Sequence, residues 1–174
     1  MNDVPSMSWL SPKVSVKKSP IHDLGLFANK AFKKDETVMI LGGTKLTDRE
    51  VEEKKNGERY DGVALGTNLN LLIAPREWPG IHGNHSCNPN LWMKDAITIV
   101  SRRDIDVDEE LTTDYAMYTI HPNWSMKCNC RSSLCRKLIT GNDWRLPELQ
   151  ERYRAHFSPI IERLIDEKHG STAR

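Results

Sequence analysis

The sequence predicts a mainly β body closed by α-helices at its C-terminal end, on three observations. Short apolar runs bounded by turn residues dominate the first two thirds. Beyond Gly141 the apolar spacing changes to mostly three and four, through Leu146, Leu149, Tyr153, Phe157, Ile160, Ile161, Leu164 and Ile165. The chain has 174 residues, room for one domain, and its 25 Lys plus Arg against 24 Asp plus Glu leave a formal charge of +1. A chain so balanced projects no strong field, which argues against direct binding to nucleic acid or an anionic membrane.

In order, an N-terminal arm over 1–12 precedes alternation at Val14 and Val16, the first strand signal. A single glycine, Gly25, separates the polar turn at His22 and Asp23 from apolar Leu26-Phe27-Ala28. Strands are expected at 38–41, 69–73 and 97–100, separated by Gly42-Gly43, Pro79-Gly80 and Asn88-Pro89-Asn90, all with turn chemistry. One helix interrupts them: Thr47 and Glu50 have capping-box spacing, Asn56-Gly57 supplies a stop, and an almost wholly charged face predicts exposure. The segment from Asp108 to Tyr115 reads as a charged turn leading into a short edge strand that ends in Tyr115. In the helical tail over 146–169, Ser158-Pro159 is a second start signal, so two helices are expected, packed on the β body or paired with another copy. Residues 170–174 should fray.

Phosphate-binding glycine loops and the Gly-x-Ser-x-Gly nucleophile turn are absent, which leaves dinucleotide, NTP and α/β-hydrolase chemistry without an anchor. No apolar run is long enough for a membrane span and no secretory leader is visible, so a soluble intracellular protein is expected. Of the four cysteines, Cys128, Cys130 and Cys135 lie within eight positions and Cys87 lies far upstream. Three thiolates in C-x-C-x4-C suit one tetrahedral Zn²⁺, with Cys87 as the fourth ligand and Lys127, Arg131, Arg136 and Lys137 near enough to offset the thiolate charge. Incidental reduced thiols, or disulfides in an exported chain, are the other readings. Asn84-His85-Ser86-Cys87 by itself reads as a polar turn.

Taken in order, Gly25-Leu26-Phe27-Ala28, Asn84-His85-Ser86-Cys87-x-Pro89-Asn90, Glu110-Leu111-x-x-Asp114-Tyr115 and C-x-C-x4-C resemble the SET-domain protein lysine methyltransferases that carry a post-SET zinc loop. The resemblance implies a SET fold of small curved β-sheets over 13–120, in which the Asn-His and Asp-Tyr segments cross as a pseudoknot, with the zinc loop over 121–145. It implies S-adenosylmethionine held by Asp23, Leu24, Gly25, Asn84, His85, Tyr115 and Asn129, with Leu138 or Ile139 over the adenine. It implies Tyr115 as the catalytic residue, zinc on Cys87, Cys128, Cys130 and Cys135, and a lysine-bearing protein or peptide substrate such as a histone, in cytoplasm or nucleus. Two departures stand out. Asp23 occupies a position that is often Gly, and Thr113 replaces the usual aromatic two residues before the tyrosine, leaving room for di- or trimethylation. The same residues would also fit a catalytically silent peptide-binding module or a zinc-stabilised interaction domain, with the C-terminal helices available for self-association.

Overall fold

The computed structural model describes residues 3–54, 62–74 and 77–171. Strands β1 (Trp9–Leu10), β2 (Val14–Lys18), β3 (Leu24–Ala28), β4 (Thr37–Ile40) and β5 (Gly43–Leu46) lead into helix α1 (Asp48–Lys54). There follow β6 (Gly62–Gly66), β7 (Leu69–Ile73), β8 (Asn84–His85), β9 (Leu91–Met93), β10 (Thr98–Ser101) and β11 (Glu110–Thr113). A two-stranded ribbon of β12 (Ser125–Lys127) and β13 (Leu138–Thr140) precedes helices α2 (Pro147–Arg152) and α3 (Pro159–Ser171). Among the described residues no helix is long and apolar enough to cross a membrane.

The strands form small sheets in the orders β1-β4-β10-β9, β2-β3-β11-β8 and β5-β7-β6, besides the β12-β13 ribbon. Every pairing of named strands is antiparallel except β8 with β11, which sets Asn84 beside Thr112 and His85 beside Thr113. Segments that read separately as a turn and an edge strand are therefore paired strands, and β11 is interior, with β3 on its other side. The strand also stops earlier than the sequence suggests. Asp114 accepts a hydrogen bond from the Ala116 N–H at 3.0 Å, and this cap turns Tyr115–Met117 into a 3-10 helix.

One apolar core joins the sheets. Leu26, Leu71 and Leu111 are fully buried, and Leu149, Tyr153, Phe157, Ile160, Ile161 and Ile165 of the tail enter the same cluster. At roughly 2 kcal/mol per large buried side chain, this packing on the chain's own body is what holds two short helices in place. Helix α3 begins at Pro159 as expected, with the Ser158 carbonyl accepting from Ile161 and Glu162 N–H groups. The Ser158 hydroxyl, however, is buried without a hydrogen-bond partner, and the Glu162 carboxylate accepts the Phe157 N–H instead. The capping box of α1 forms, with Thr47 N–H donating to Glu50 Oε2 at 2.7 Å and Glu50 N–H donating to Thr47 Oγ1 at 3.3 Å. That helix is not wholly exposed, because Val51 is buried. The stop expected at Asn56-Gly57 lies outside the described residues; α3 runs to Ser171, and the rest of the tail over 172–174 also lies outside them.

Candidate active site and cysteine cluster

The turn before β3 places Asp23 at φ +37°, a left-handed conformation that Asp tolerates better than most residues. Two residues on, Gly25 lies against the carboxylate of Glu110, so a Cβ there would collide with Glu110 Oε1 and crowd Ser19. That oxygen accepts hydrogen bonds from Ser19 Oγ at 2.7 Å and Asn84 Nδ2 at 2.8 Å. The buried Asn84 amide also lies 3.0 Å from the Leu24 carbonyl. Glu110 and Asn84 thus fasten the loop over 19–24 to the paired strands β8 and β11. Asn129, from the cysteine loop, lines with Pro20, Ile21, Arg131 and Lys137 a cleft of about 250 Å³. Leu24 and Leu138 are exposed, whereas Ile139 is fully buried beside Cys87 and Cys128. Of the two residues expected to cover an adenine, only Leu138 has a free face.

Tyr115 directs its hydroxyl at the Gly83 carbonyl, donating at 3.0 Å. Its ring meets His85 edge-on at 5.2 Å between centroids, with Tyr118 at 5.8 Å and Trp124 at 6.0 Å. Tyr118 exchanges a 2.8 Å hydrogen bond with Thr113 Oγ1, so the smaller Thr113 side chain reaches a second tyrosine hydroxyl. Burial, reinforced by the nearby Tyr115, raises the Tyr118 hydroxyl well above its ordinary pKa. His85 is buried, and desolvation brings its pKa down to about 4 against the opposing pull of Asp114. The neutral ring accepts the Tyr115 N–H at Nδ1, 3.2 Å away, which assigns the proton to Nε2, 3.3 Å from Cys87 Sγ.

The four cysteines converge. All are free thiols, and their sulfur atoms lie within 4.8 Å of one another. Cys87 Sγ and Cys128 Sγ are 3.8 Å apart. A tetrahedron with zinc–sulfur bonds of about 2.3 Å has an edge of about 3.8 Å, so the spacing fits one such ion. Backbone donors suited to thiolates are also present: Arg136 N–H points at Cys87 Sγ from 3.3 Å and Cys87 N–H at Cys130 Sγ from 3.5 Å. Burial pushes the Cys87 thiol up to about 11. At Cys130 burial acts in the same sense, yet N–H groups of Cys87 and Ser132 with the neighbouring sulfurs bring it down to about 6.

Sequence reasoning missed the surroundings of Asp114. Its fully buried carboxylate takes both arms of the Arg136 guanidinium, at 2.6 and 2.8 Å, and the Tyr153 hydroxyl at 3.0 Å. Arg136 Nε reaches Asp143 at 2.9 Å. The Arg136 side chain therefore serves these carboxylates, while its backbone serves the cluster. The acidic stretch before β11 is also internally answered: Asp104 pairs with Lys33, Asp108 with Lys17 and Glu109 with Arg103.

Residues 23–116 match the SET domain family. The chain belongs to the SET-domain family. This SET domain is 32% identical over 145 residues to human histone-lysine N-methyltransferase SETD1B, an alignment covering 75% of the chain and 7% of that protein. It is 29% identical over 145 residues to human histone-lysine N-methyltransferase 2B, covering 72% of the chain and 5% of that protein. The chain thus spans less than a tenth of the length of these relatives. The methyltransferase domain of human SETMAR superposes with a TM-score of 0.58 at 20% identity, covering 74% of this chain and 58% of that one, which shows the shared fold.

Proposed function

We propose that this SET domain is an S-adenosylmethionine-dependent protein lysine methyltransferase. The observation that carries the reading is the β8–β11 pairing, with Tyr115 just beyond it and its hydroxyl held on Gly83, in a family whose relatives here are named histone-lysine N-methyltransferases. The cofactor would lie against Asp23, Leu24, Gly25, Asn84, His85 and Asn129; of these Asn129 lines the cleft, and the exposed Leu24 and Leu138 offer apolar surface. When bound it supplies an electrophilic methyl group on a sulfonium. The substrate is a lysine in a protein, and a histone lysine agrees with the names of the relatives.

The chain's own residues have two tasks. A lysine amine attacks only when neutral, and its ordinary pKa is about 10.4, so the aromatic surroundings of Tyr115, Tyr118 and Trp124 favour loss of its proton to water by desolvation. Tyr115 then orients the amine. Its O–H donates to Gly83, and the phenolic oxygen is the acceptor toward which the amine N–H groups would point. Fixed alignment of reacting atoms is worth about 7 kcal/mol or more. Cys87, Cys128, Cys130 and Cys135 would hold one zinc, which supplies a tetrahedral cross-link between the SET body over 13–120 and the loop over 121–145.

The deciding experiment is radiolabelled methyl transfer to purified histones and other lysine-rich proteins, with wild type and Tyr115→Phe. Wild-type transfer that falls about 100-fold in kcat in the variant, with cofactor binding retained, is the expected outcome. Full activity in Tyr115→Phe would refute the role of this tyrosine. A wild-type chain that neither binds the cofactor nor labels any protein would refute the enzyme.

A further inference from the structure

We infer that Asp114, Arg136 and His85 close a hydrogen-bonded ring that fixes the Tyr115 backbone to the cysteine cluster, so that Arg136 is a positioning residue for methyl transfer. The inference rests on the methyltransferase reading and deepens it.

The ring runs through atoms already described. From Cys87 Sγ one arm passes through His85, whose Nδ1 accepts the Tyr115 N–H. The other starts at the same sulfur with the Arg136 N–H, passes along the Arg136 side chain to Asp114, and returns to the 3-10 turn through the Ala116 N–H. Tyr115 lies where the arms meet. The side chains of His85 and Asp114 are 0% exposed and that of Arg136 is 13% exposed, so water is poorly placed to replace a missing member. A planar guanidinium can donate to Asp114 with two nitrogens while Nε reaches Asp143; an ammonium is a point charge without that fork. The Tyr153 hydroxyl on Asp114 links the ring to the segment after α2. An ion gathering the four sulfurs would fix Cys87 Sγ and so anchor both arms together.

The test uses the full chain purified with zinc, comparing wild type, Arg136→Lys and, as a control, Arg154→Lys at an exposed surface pair. Labelling with ¹⁵N-tyrosine gives four backbone amide signals, one of them Tyr115. In Arg136→Lys the Tyr115 amide signal should move, and kcat should fall about 10- to 100-fold, while KM, cofactor affinity, zinc content and cooperative unfolding stay near wild type. The control should change none of these. Chelating zinc from the wild type should move the same Tyr115 signal. Should Arg136→Lys fail to fold, Tyr153→Phe removes one hydrogen bond to Asp114 and should shift Tyr115 in the same direction by a smaller step. The inference falls if kcat is unchanged, if KM rises in place of the kcat loss, if kcat and zinc are lost together, or if the Tyr115 signal stays still. A wild type without cofactor binding or transfer instead overturns the enzyme reading and the catalytic part with it, and the Tyr115 signal still decides whether the ring exists.

Discussion

At Gly25 the absence of a side chain is demanded by a neighbour from the far end of the SET body. The Glu110 carboxylate fills the space a Cβ would take, and the same carboxylate holds Ser19 and Asn84. Gly25→Ala should therefore push Glu110 off both partners, lower stability by about 1–3 kcal/mol and weaken cofactor binding about tenfold, measured by denaturant unfolding and calorimetry. Unchanged affinity would show that the 19–24 loop does not need Glu110. Replacing a glycine by Asp23 put the left-handed turn there in question, and the structure shows that the turn is kept, at φ +37°. The part played by Glu110 was not legible, because the direction of its carboxylate depends on the β3–β11 register, which pairs Glu110 with Phe27. Asp114 and Arg136 were hidden for the same reason: they are 22 residues apart, and nothing local in either segment signals the other.

The element that decides the site is the pairing of β8 with β11, only two residues deep. Such a short parallel contact needs reinforcement, and Asn90 supplies it. Its Nδ2 donates to the Glu110 carbonyl and its Oδ1 accepts the Thr112 N–H, both at 2.9 Å, so one side chain imitates a neighbouring strand. Asn90→Ala takes this partner from the buried Thr112 N–H and the part-buried Glu110 carbonyl and should cost about 1–3 kcal/mol in chemical denaturation. The turn before β11 carries a pH dependence of known sign. The hydrogen bond from Arg103, more than offsetting partial burial, holds the Glu109 pKa below its ordinary value. Its contribution is complete above the unfolded-state pKa near 4.5 and is lost as pH falls through the lower folded value. Glu109→Gln should flatten the stability profile below the unfolded-state pKa, measured by thermal unfolding as pH is lowered. Period and turn chemistry were enough to read β2, β4, β7, β10 and the two-helix tail; they missed β1, β5, β6, β9 and the β12–β13 ribbon, took Gly43 for turn where it opens β5, and could not distinguish a turn from β8, whose two residues become a strand only because β11 runs beside them.

Across the whole molecule, the order of four motifs carried more information than any one of them. Asn84-His85, Asp114-Tyr115 and the cysteine loop lie far apart in sequence, and the fold sets them around Cys87 and Tyr115. Family membership was legible from that order, whereas the ring joining the motifs emerges only when all have been packed. Zinc content measured on chain never exposed to chelator should be one per chain, and clearly less would refute the four-thiolate site. The position of Cys87 also bears on the state the chain leaves behind when it folds. It precedes Cys128 by 41 residues, and the intervening segment holds β9, β10, β11 and Tyr115. An ion bound at both ends would close that segment into a loop even in the unfolded chain. By the entropy of loop closure, such a cross-link removes about 4 kcal/mol of disorder. Stripping the metal should then lower the melting temperature by roughly 10 °C. The cluster would thus act on the expanded chain as well as on the folded one, confining in advance the stretch from which the active site is built.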